Sequence, residues 1–256
     1  MLKLTQLPQT GGLELWRGPS KIDGAPIVFI ATLQTTNRKT GNMIQTWILH
    51  QDMSPVDAVM SGADESICGK CIHRAINGKK RSCYVNVGQA PLQIWRAWQN
   101  NKYPQVSPAD FGEYYSRYRS IRLGAYGDPA AVPLRVLHDL MSPAWMGHTG
   151  YTHQWRDCDA GYAGYLMASV DTEAEYWEAK ADGWRTFRTL TPDDSLTDGE
   201  MSCPASDEAG KRTTCDRCKL CAGKFSNRPR QPKDIAIIAH GVGAKNYARK
   251  LEVQHA

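Results

Sequence analysis

The sequence lacks the long apolar segments of membrane and secreted proteins. No apolar run approaches the roughly 18 residues that a membrane-spanning helix needs, and the first residues, MLKLTQLPQTGGLELWRG, contain no apolar core of a signal peptide. No internal repeat and no low-complexity tract is present either. We therefore expect a cytoplasmic globular protein that makes no membrane contact.

Several common enzyme motifs are also missing. The sequence has no Walker loop, no Gly-x-Gly-x-x-Gly after a strand and no His-Glu-x-x-His, so nothing supports nucleotide hydrolysis or zinc proteolysis. The composition of its 256 residues, 41% hydrophobic and 22% charged, is that of an ordinary soluble protein. This length accommodates one large domain, or one domain with a small appendage.

The cysteines are grouped rather than scattered. A cytosolic chain of this length needs no disulfide bonds, and cysteines separated by two residues in a reducing compartment are typical ligands of metals or iron–sulfur clusters. Disulfide-bonded loops in a secreted protein are the alternative, which the missing export signal disfavours. Seven of the eight cysteines fall in two groups: Cys68, Cys71 and Cys83, then Cys203, Cys215, Cys218 and Cys221.

Strands and helices are predicted to alternate along most of the chain. A hairpin is expected at 26–33 and 43–50, helices at 89–100 and 107–120, and then strands at 121–129, 148–155, 163–171, 184–190 and 234–241 with helices at 131–142, 172–183 and 245–253. This alternation predicts an α/β fold with a parallel sheet. The number of units favours a partial (β/α) barrel of six strands, with an open doubly wound sheet as the alternative.

The same pattern divides the chain into four parts. We expect an N-terminal segment at 1–25, the partial barrel at 26–200 with a cysteine loop at 66–84, a cysteine-rich metal-binding insertion at 201–230, and a last strand and helix at 231–256.

Polar residues follow the predicted strands, at the edge where parallel α/β barrels place their chemistry. We expect Asp128, His153 and Ser169 to converge on one cavity, with the cysteine loop at its mouth. His153 is a candidate general acid or base, or else a buried structural histidine. Cys158 is a candidate hydrogen-atom donor or metal ligand, or else an inert thiol. Further residues at these strand ends are Asp171, Thr189, Cys203 and His240.

The first cysteine group has the spacing Cys68-x2-Cys71-x11-Cys83. Three thiolates in one loop can hold three irons of a [4Fe–4S] cluster and leave the fourth iron open. A structural zinc ion would need a fourth ligand, for which His73 and Cys158 are the candidates.

A three-cysteine loop after the first strands of a partial α/β barrel, closed by Cys83-Tyr84, resembles the radical SAM superfamily and its phage-borne members. The stretch IRLG at 121–124, followed by Gly127-Asp128-Pro129, is similar to the strand end that faces S-adenosylmethionine in that superfamily. The spacing departs from the usual Cys-x3-Cys-x2-Cys. The resemblance implies an enzyme that cleaves S-adenosylmethionine at an open [4Fe–4S] cluster, with Tyr84, Gly127, Asp128 and Ser169 seating that cofactor.

The second group, Cys203-x11-Cys215-x2-Cys218-x2-Cys221, has the four ligands of a closed site. Both a second [4Fe–4S] cluster and a zinc ion satisfy this pattern. Residues 211–250 contain eleven Lys and Arg against two acidic residues, which predicts either a surface for nucleic-acid phosphates or a solvated face. The alternative function is therefore a non-catalytic nucleic-acid-binding protein, stabilised by zinc or a cluster, on a degenerate barrel.

Overall fold

The computed structural model describes residues 8–75, 80–224, 232–241 and 243–247. Within them the strands are β1 (Gly12–Pro19), β2 (Pro26–Thr32), β3 (Ile44–His50), β4 (Ile121–Tyr126), β5 (His148–Thr149), β6 (Tyr151–Thr152), β7 (Met167–Val170), β8 (Thr186–Leu190), β9 (Glu200–Ser202) and β10 (Asp234–Ile238). The α-helices are α1 (Pro55–Ser61), α2 (Glu65–Cys68), α3 (Ala90–Gln99), α4 (Pro108–Phe111), α5 (Leu134–Met141), α6 (Glu173–Ala181) and α7 (Cys215–Cys218).

The strands form two sheets, with the orders β1-β2-β3-β4-β5 and β6-β7-β8-β10-β9. The strand β2 is antiparallel to both of its neighbours, and every other pair of neighbouring strands is parallel. Only Gly150 separates β5 from β6, so the chain passes directly from the first sheet to the second. The predicted α/β fold with parallel strands is confirmed.

Burial on both faces explains why the central strands are so apolar. The strand β3 is buried along its whole length, as expected for a parallel strand that is covered on both sides. The helix α5 buries Val136, Leu137, Leu140 and Met141, and α6 buries Tyr176 and Ala179. Both helices therefore turn one apolar side inward. The loops that carry the candidate site residues follow the carboxyl ends of the strands.

Several elements differ from the sequence-based expectations. The strand β1 was not predicted, although it lies in the 1–25 segment and pairs with β2. Gly150 divides the predicted strand 148–155, and its second part ends at Thr152. The short strand β9 was also missed because its three residues carry no alternating pattern.

The predicted helix 107–120 is shorter than expected. It consists of α4 followed by a π-helical turn, Gly112–Ser116. At Gly112 the helix passes so close to Pro143 and the carbonyl of Leu140 that a Cβ would overlap them. The predicted helix 245–253 lies largely outside the described residues, of which 244–247 are helical. No helix among the described residues is long and apolar enough to cross a membrane.

Candidate metal centres

The loop that carries the first cysteine group follows β3, the first strand of the parallel part of the sheet. The helix α1 begins after Ser54, whose hydroxyl accepts a hydrogen bond from the Asp57 amide. The helix α2 ends at Cys68, and Gly69 follows with a positive φ of 53°. The amide of Asp128, just beyond β4, donates to the Ile67 carbonyl at 2.6 Å. The cysteine loop is thereby fixed to the end of the neighbouring parallel strand.

The thiols of Cys68, Cys71 and Cys83 form no disulfide bonds and lie close enough to influence one another. Burial raises the pKa of Cys68 well above its ordinary value, and the charges of Cys71, Asp64, Cys83 and Asp128 raise it further. Burial also raises the pKa values of Cys71 and Cys83. Without a bound cation these thiols are protonated at neutral pH, because the cost of burying a negative charge outweighs the opposing effects of His73 on the pKa of Cys71 and of Arg81 on the pKa of Cys83.

A buried arginine that the sequence analysis did not single out holds this loop together. Arg74 donates through Nε and Nη2 to Asp64 Oδ1, at 3.0 and 2.9 Å. Its remaining donors reach the carbonyls of Gly69 at 2.8 Å and Gly62 at 2.7 Å. Arg74 lies among several basic residues of the 72–82 insertion, so its sequence context resembles that of a solvated charge.

Gln154 makes a second connection between the loop and the strand ends. Its Oε1 accepts from the Lys70 amide at 3.2 Å, and its Nε2 donates to the Cys68 carbonyl at 3.1 Å and to Asp128 Oδ2 at 3.3 Å. A Cβ at Gly69 would overlap the Gln154 amide. Position 154 adjoins the predicted site residue His153, and this is the only sequence signal that pointed to it.

The structure brings two of the three predicted rim residues into contact beside the cysteines. Asp128 Oδ2 accepts from the His153 amide at 2.8 Å, and His153 Nε2 lies 3.7 Å from Cys71 Sγ. The third residue, Ser169, is buried on β7 opposite Phe187. Two residues further along, Asp171 approaches His153 Nε2 at 3.7 Å. The ends of β4, β6 and β7 therefore meet near Cys71.

The structure also gives local reasons for three residues that were assigned to the cofactor. Asp128 accepts from the amides of Ala130 and His153, so both of its oxygens already have protein donors. Gly127 has a φ of 82°, and a Cβ there would lie 2.7 Å from the carbonyl oxygen of Ile48. The ring of Tyr84 stacks on His240, with centroids 5.8 Å apart, and its hydroxyl accepts from Arg122.

Cys158 follows the end of β6. Its amide donates to the Gln154 carbonyl at 2.8 Å. Burial and then the charge of Asp128 raise the pKa of the Cys158 thiol to about 12. The side chain is consequently a neutral thiol at physiological pH in the absence of a metal ion.

The four cysteines of the second group also come together, although they derive from separate segments. The amide of Cys203 donates to Ala236 on β10 at 2.8 Å, and that of Cys215 donates to the Lys39 carbonyl in the β2–β3 turn at 2.9 Å. Burial raises the pKa of Cys221, a hydrogen bond with Tyr151 opposes this, and the charges of Cys203, Cys215 and Cys218 raise it further. These four thiols therefore occupy one small, partly apolar region.

Two strands show how the two cysteine groups are arranged. On β6, Tyr151 hydrogen-bonds with Cys221, and two residues later His153 approaches Cys71. On β4, the charge of Arg122 acts on Cys215. Four residues later, burial and then the charge of Cys68 raise the pKa of Tyr126. The second group therefore lies near the beginnings of these strands and the first group near their carboxyl ends.

The basic stretch is described only in part, since 225–231, 242 and 248–250 lie outside the described residues. Within it, Lys211 forms an ion pair with Asp207 at 2.6 Å, and Arg212 and Arg217 are exposed. Asp216 accepts from the Asn42 amide at 3.1 Å and belongs to the packing of α7 on the β2–β3 turn. The segment thus combines a structural part with exposed cations.

Comparisons of the chain with protein-family models, with curated proteins and with solved structures find no match. The function must therefore be argued from the chemistry of the two cysteine groups and the strand ends that surround them.

Proposed function

We propose that the protein is an iron–sulfur enzyme of the radical SAM type, which binds an open [4Fe–4S] cluster at Cys68, Cys71 and Cys83. The observation that carries the proposal is that these three thiols lie close together in a loop fixed to the end of a parallel strand. Charges on Cys71 and Cys83 raise the pKa of Cys68, and the Asp128 amide binds the Ile67 carbonyl. Soft thiolates are the ligands that iron–sulfur clusters require. The donor set therefore fits such a cluster.

The arrangement of strands supports this proposal. If β5 and β6 are counted as one strand interrupted at Gly150, six strands follow one another in parallel. These are β3, β4, β5–β6, β7, β8 and β10. We infer that they curve into the partial (β/α) barrel suggested by the resemblance, with the cysteine loop after its first strand. The carboxyl ends of these strands are the side on which parallel α/β proteins bind their ligands.

When bound, the cluster would supply one electron for the reductive cleavage of S-adenosylmethionine, and the resulting radical would abstract hydrogen from a substrate. The chain's own residues have simpler tasks. Cys68, Cys71 and Cys83 bind the cluster, while Arg74 and Gln154 hold the loop in place. The His153 ring lies beside the proposed cluster, with Nε2 at 3.7 Å from Cys71 Sγ.

We further propose that Asp128 acts on the cofactor pocket through position rather than through contact. Both of its oxygens accept protein hydrogen bonds, so it aligns the end of β6 with the cysteine loop. Ser169 and Tyr84 remain the candidates to contact S-adenosylmethionine, and the neutral Cys158 thiol is a candidate hydrogen-atom donor.

The second cysteine group is proposed to hold an auxiliary [4Fe–4S] cluster. The Cys215-x2-Cys218-x2-Cys221 tripod, completed by the distant Cys203, is a spacing that [4Fe–4S] sites use, whereas zinc more often uses two Cys-x2-Cys pairs or cysteine with histidine.

The experiment that tests the proposal is the anaerobic, dithionite-driven cleavage of S-adenosylmethionine. We expect the reconstituted protein to form 5′-deoxyadenosine and methionine, and Cys71→Ala to abolish this reaction while the chain stays folded. Arg135→Ala, on the exposed side of α5, is the matched control. If wild-type protein that contains its iron–sulfur clusters does not cleave S-adenosylmethionine, the proposal is overturned.

The alternative, a nucleic-acid-binding protein, draws on the exposed cations Arg212 and Arg217 near the second cysteine group. It predicts salt-dependent binding of single-stranded or duplex oligonucleotides by protein that contains only zinc. Substituting both arginines by Ser would weaken that binding. The same substitutions would leave the cleavage of S-adenosylmethionine intact if the enzyme proposal holds.

A further inference from the structure

A second set of metal-ligating side chains lies at the strand ends beside Cys71. His73 Nε2 is 3.3 Å from Asp171 Oδ1, and His153 Nε2 is 3.7 Å from Asp171 Oδ2. One ligand atom from each of the three residues lies within 4.8 Å of the other two. The residues come from different parts of the chain, since His73 belongs to the cysteine loop, His153 follows β6 and Asp171 follows β7.

These separations fit a shared metal ion better than they fit direct ion pairs. A hydrogen-bonded pair of opposite charges has a separation of about 2.7–2.9 Å. Ligands at about 2.0–2.2 Å from one ion lie roughly 2.8–3.6 Å from each other in octahedral or tetrahedral geometry. The 3.3 Å separation, to Asp171 Oδ1, falls in the second range, and the 3.7 Å separation, to Oδ2, lies just above it, so the carboxylate would bind the ion through both oxygens or turn to present one of them. A small inward movement of His153 would therefore complete the site.

The surroundings provide the supporting hydrogen bonds that metal ligands need. His73 Nδ1 lies 3.0 Å from Ser82 Oγ, which leaves Nε2 directed at Asp171. The Tyr247 hydroxyl lies 3.0 Å from Asp171 Oδ1 and 2.8 Å from the Thr189 carbonyl, and its ring stacks on His73 with centroids 5.1 Å apart. Such second-layer contacts orient ligating imidazoles and carboxylates.

We propose that His73, His153 and Asp171 bind one divalent transition-metal ion, such as Fe²⁺ or Zn²⁺, separate from both cysteine groups. Two imidazoles and one carboxylate leave coordination positions for water or for an oxygen of a bound ligand. The histidine side chains are 15% and 19% exposed, so the ion is reachable from solvent. The proposal rests on these three residues and does not depend on what the cysteines bind.

The test is a titration with Co²⁺ of protein whose cysteine sites have first been filled by anaerobic reconstitution. We expect one cobalt per chain, and the difference spectrum against the same cluster-loaded protein without cobalt should show the d–d bands of nitrogen and oxygen ligation and no cobalt–thiolate charge-transfer bands. His73→Gln and Asp171→Asn should each weaken this binding at least about tenfold. Tyr247→Phe, which removes only the supporting hydroxyl, should weaken it about 10–100-fold.

The matched control is the pair His138→Gln and Asp139→Asn, a neighbouring histidine and aspartate 3.6 Å apart on α5. These variants should bind cobalt as the wild type does. Retention of the same cobalt affinity by His73→Gln, a variant of a partly exposed loop residue, would overturn the proposal, as would thiolate bands in the wild-type spectrum. Iron and sulfide content, measured on the same samples, reports separately on the cysteine sites.

Discussion

Removing the Arg74 side chain should destabilise the cysteine loop. The guanidinium group is buried, and it pairs with the buried carboxylate of Asp64 at 2.9 Å while it also donates to two carbonyls. In Arg74→Ala, Asp64 keeps its buried position but loses this partner. Breaking a buried ion pair in this way costs about 3–5 kcal/mol, a large part of the stability of an ordinary domain.

Urea denaturation of the metal-free protein measures this cost. The matched control is Arg135→Ala, because the Arg135 side chain is 86% exposed and lies 4.0 Å from Asp139. An exposed helical pair of this kind contributes about 0.3–0.5 kcal/mol. We therefore expect the free energy of unfolding to fall roughly ten times more in Arg74→Ala than in the control.

A double variant checks the electrostatic reason. Replacing both members of the pair, as in Asp64→Leu with Arg74→Met, removes the uncompensated charge and should recover most of the lost stability. The reasoning is refuted if Arg74→Ala costs less than about 1 kcal/mol, or if the double variant is as unstable as the single one. The single variant should also incorporate less iron, because Gly69 and Gly62 lose their anchor.

Three other predictions follow from local geometry. Gly69→Ala should destabilise the protein at least about twice as much as Gly24→Ala in urea unfolding. Both glycines have positive φ, but of the two only a Cβ at position 69 meets another side chain, that of Gln154. Equal losses of stability would contradict this. Burial lowers the pKa of His148 to about 4. The unfolded chain therefore binds the proton first, and stability should decline as pH falls from about 6.5 towards 4, by about 2 kcal/mol at pH 5. His148→Asn should flatten this decline, and an unchanged pH slope would count against it. Cys218→Ala should lower the free energy of unfolding by several kcal/mol in metal-loaded protein but have little effect after chelation, whereas a loss independent of metal would show a purely structural thiol.

The sequence predicted the fold where apolar patterns were long. The hairpin of β2 and β3, the helix α3 and the alternation after residue 121 all have strong periodicity or turn residues, and each is present. The pattern missed the strand β9, because three residues cannot show alternation, and it predicted β5 and β6 as one strand without the interruption at Gly150.

The candidate site was predictable to a similar extent. Cysteine spacing grouped seven thiols, and within each group the charge of one thiol raises the pKa of another, since ligand motifs are local in sequence. Arg74, Gln154 and Tyr247 could not be recognised, because their importance comes from partners that are distant along the chain, such as Gln154 with Cys68 or Tyr247 with Asp171. Gly127 and Asp128 were noticed for a resemblance, and their cofactor-binding role stays a prediction beside the packing and hydrogen bonds that the structure shows.

The metal content of anaerobically purified protein tests the central claim most directly. Iron, zinc and acid-labile sulfide should be measured on the same sample, together with its visible spectrum. Two [4Fe–4S] clusters predict brown protein with about eight irons and about eight sulfides per chain, and Cys71→Ala should lose about half of them. Colourless protein that contains zinc and no sulfide would contradict the account and favour the nucleic-acid-binding alternative.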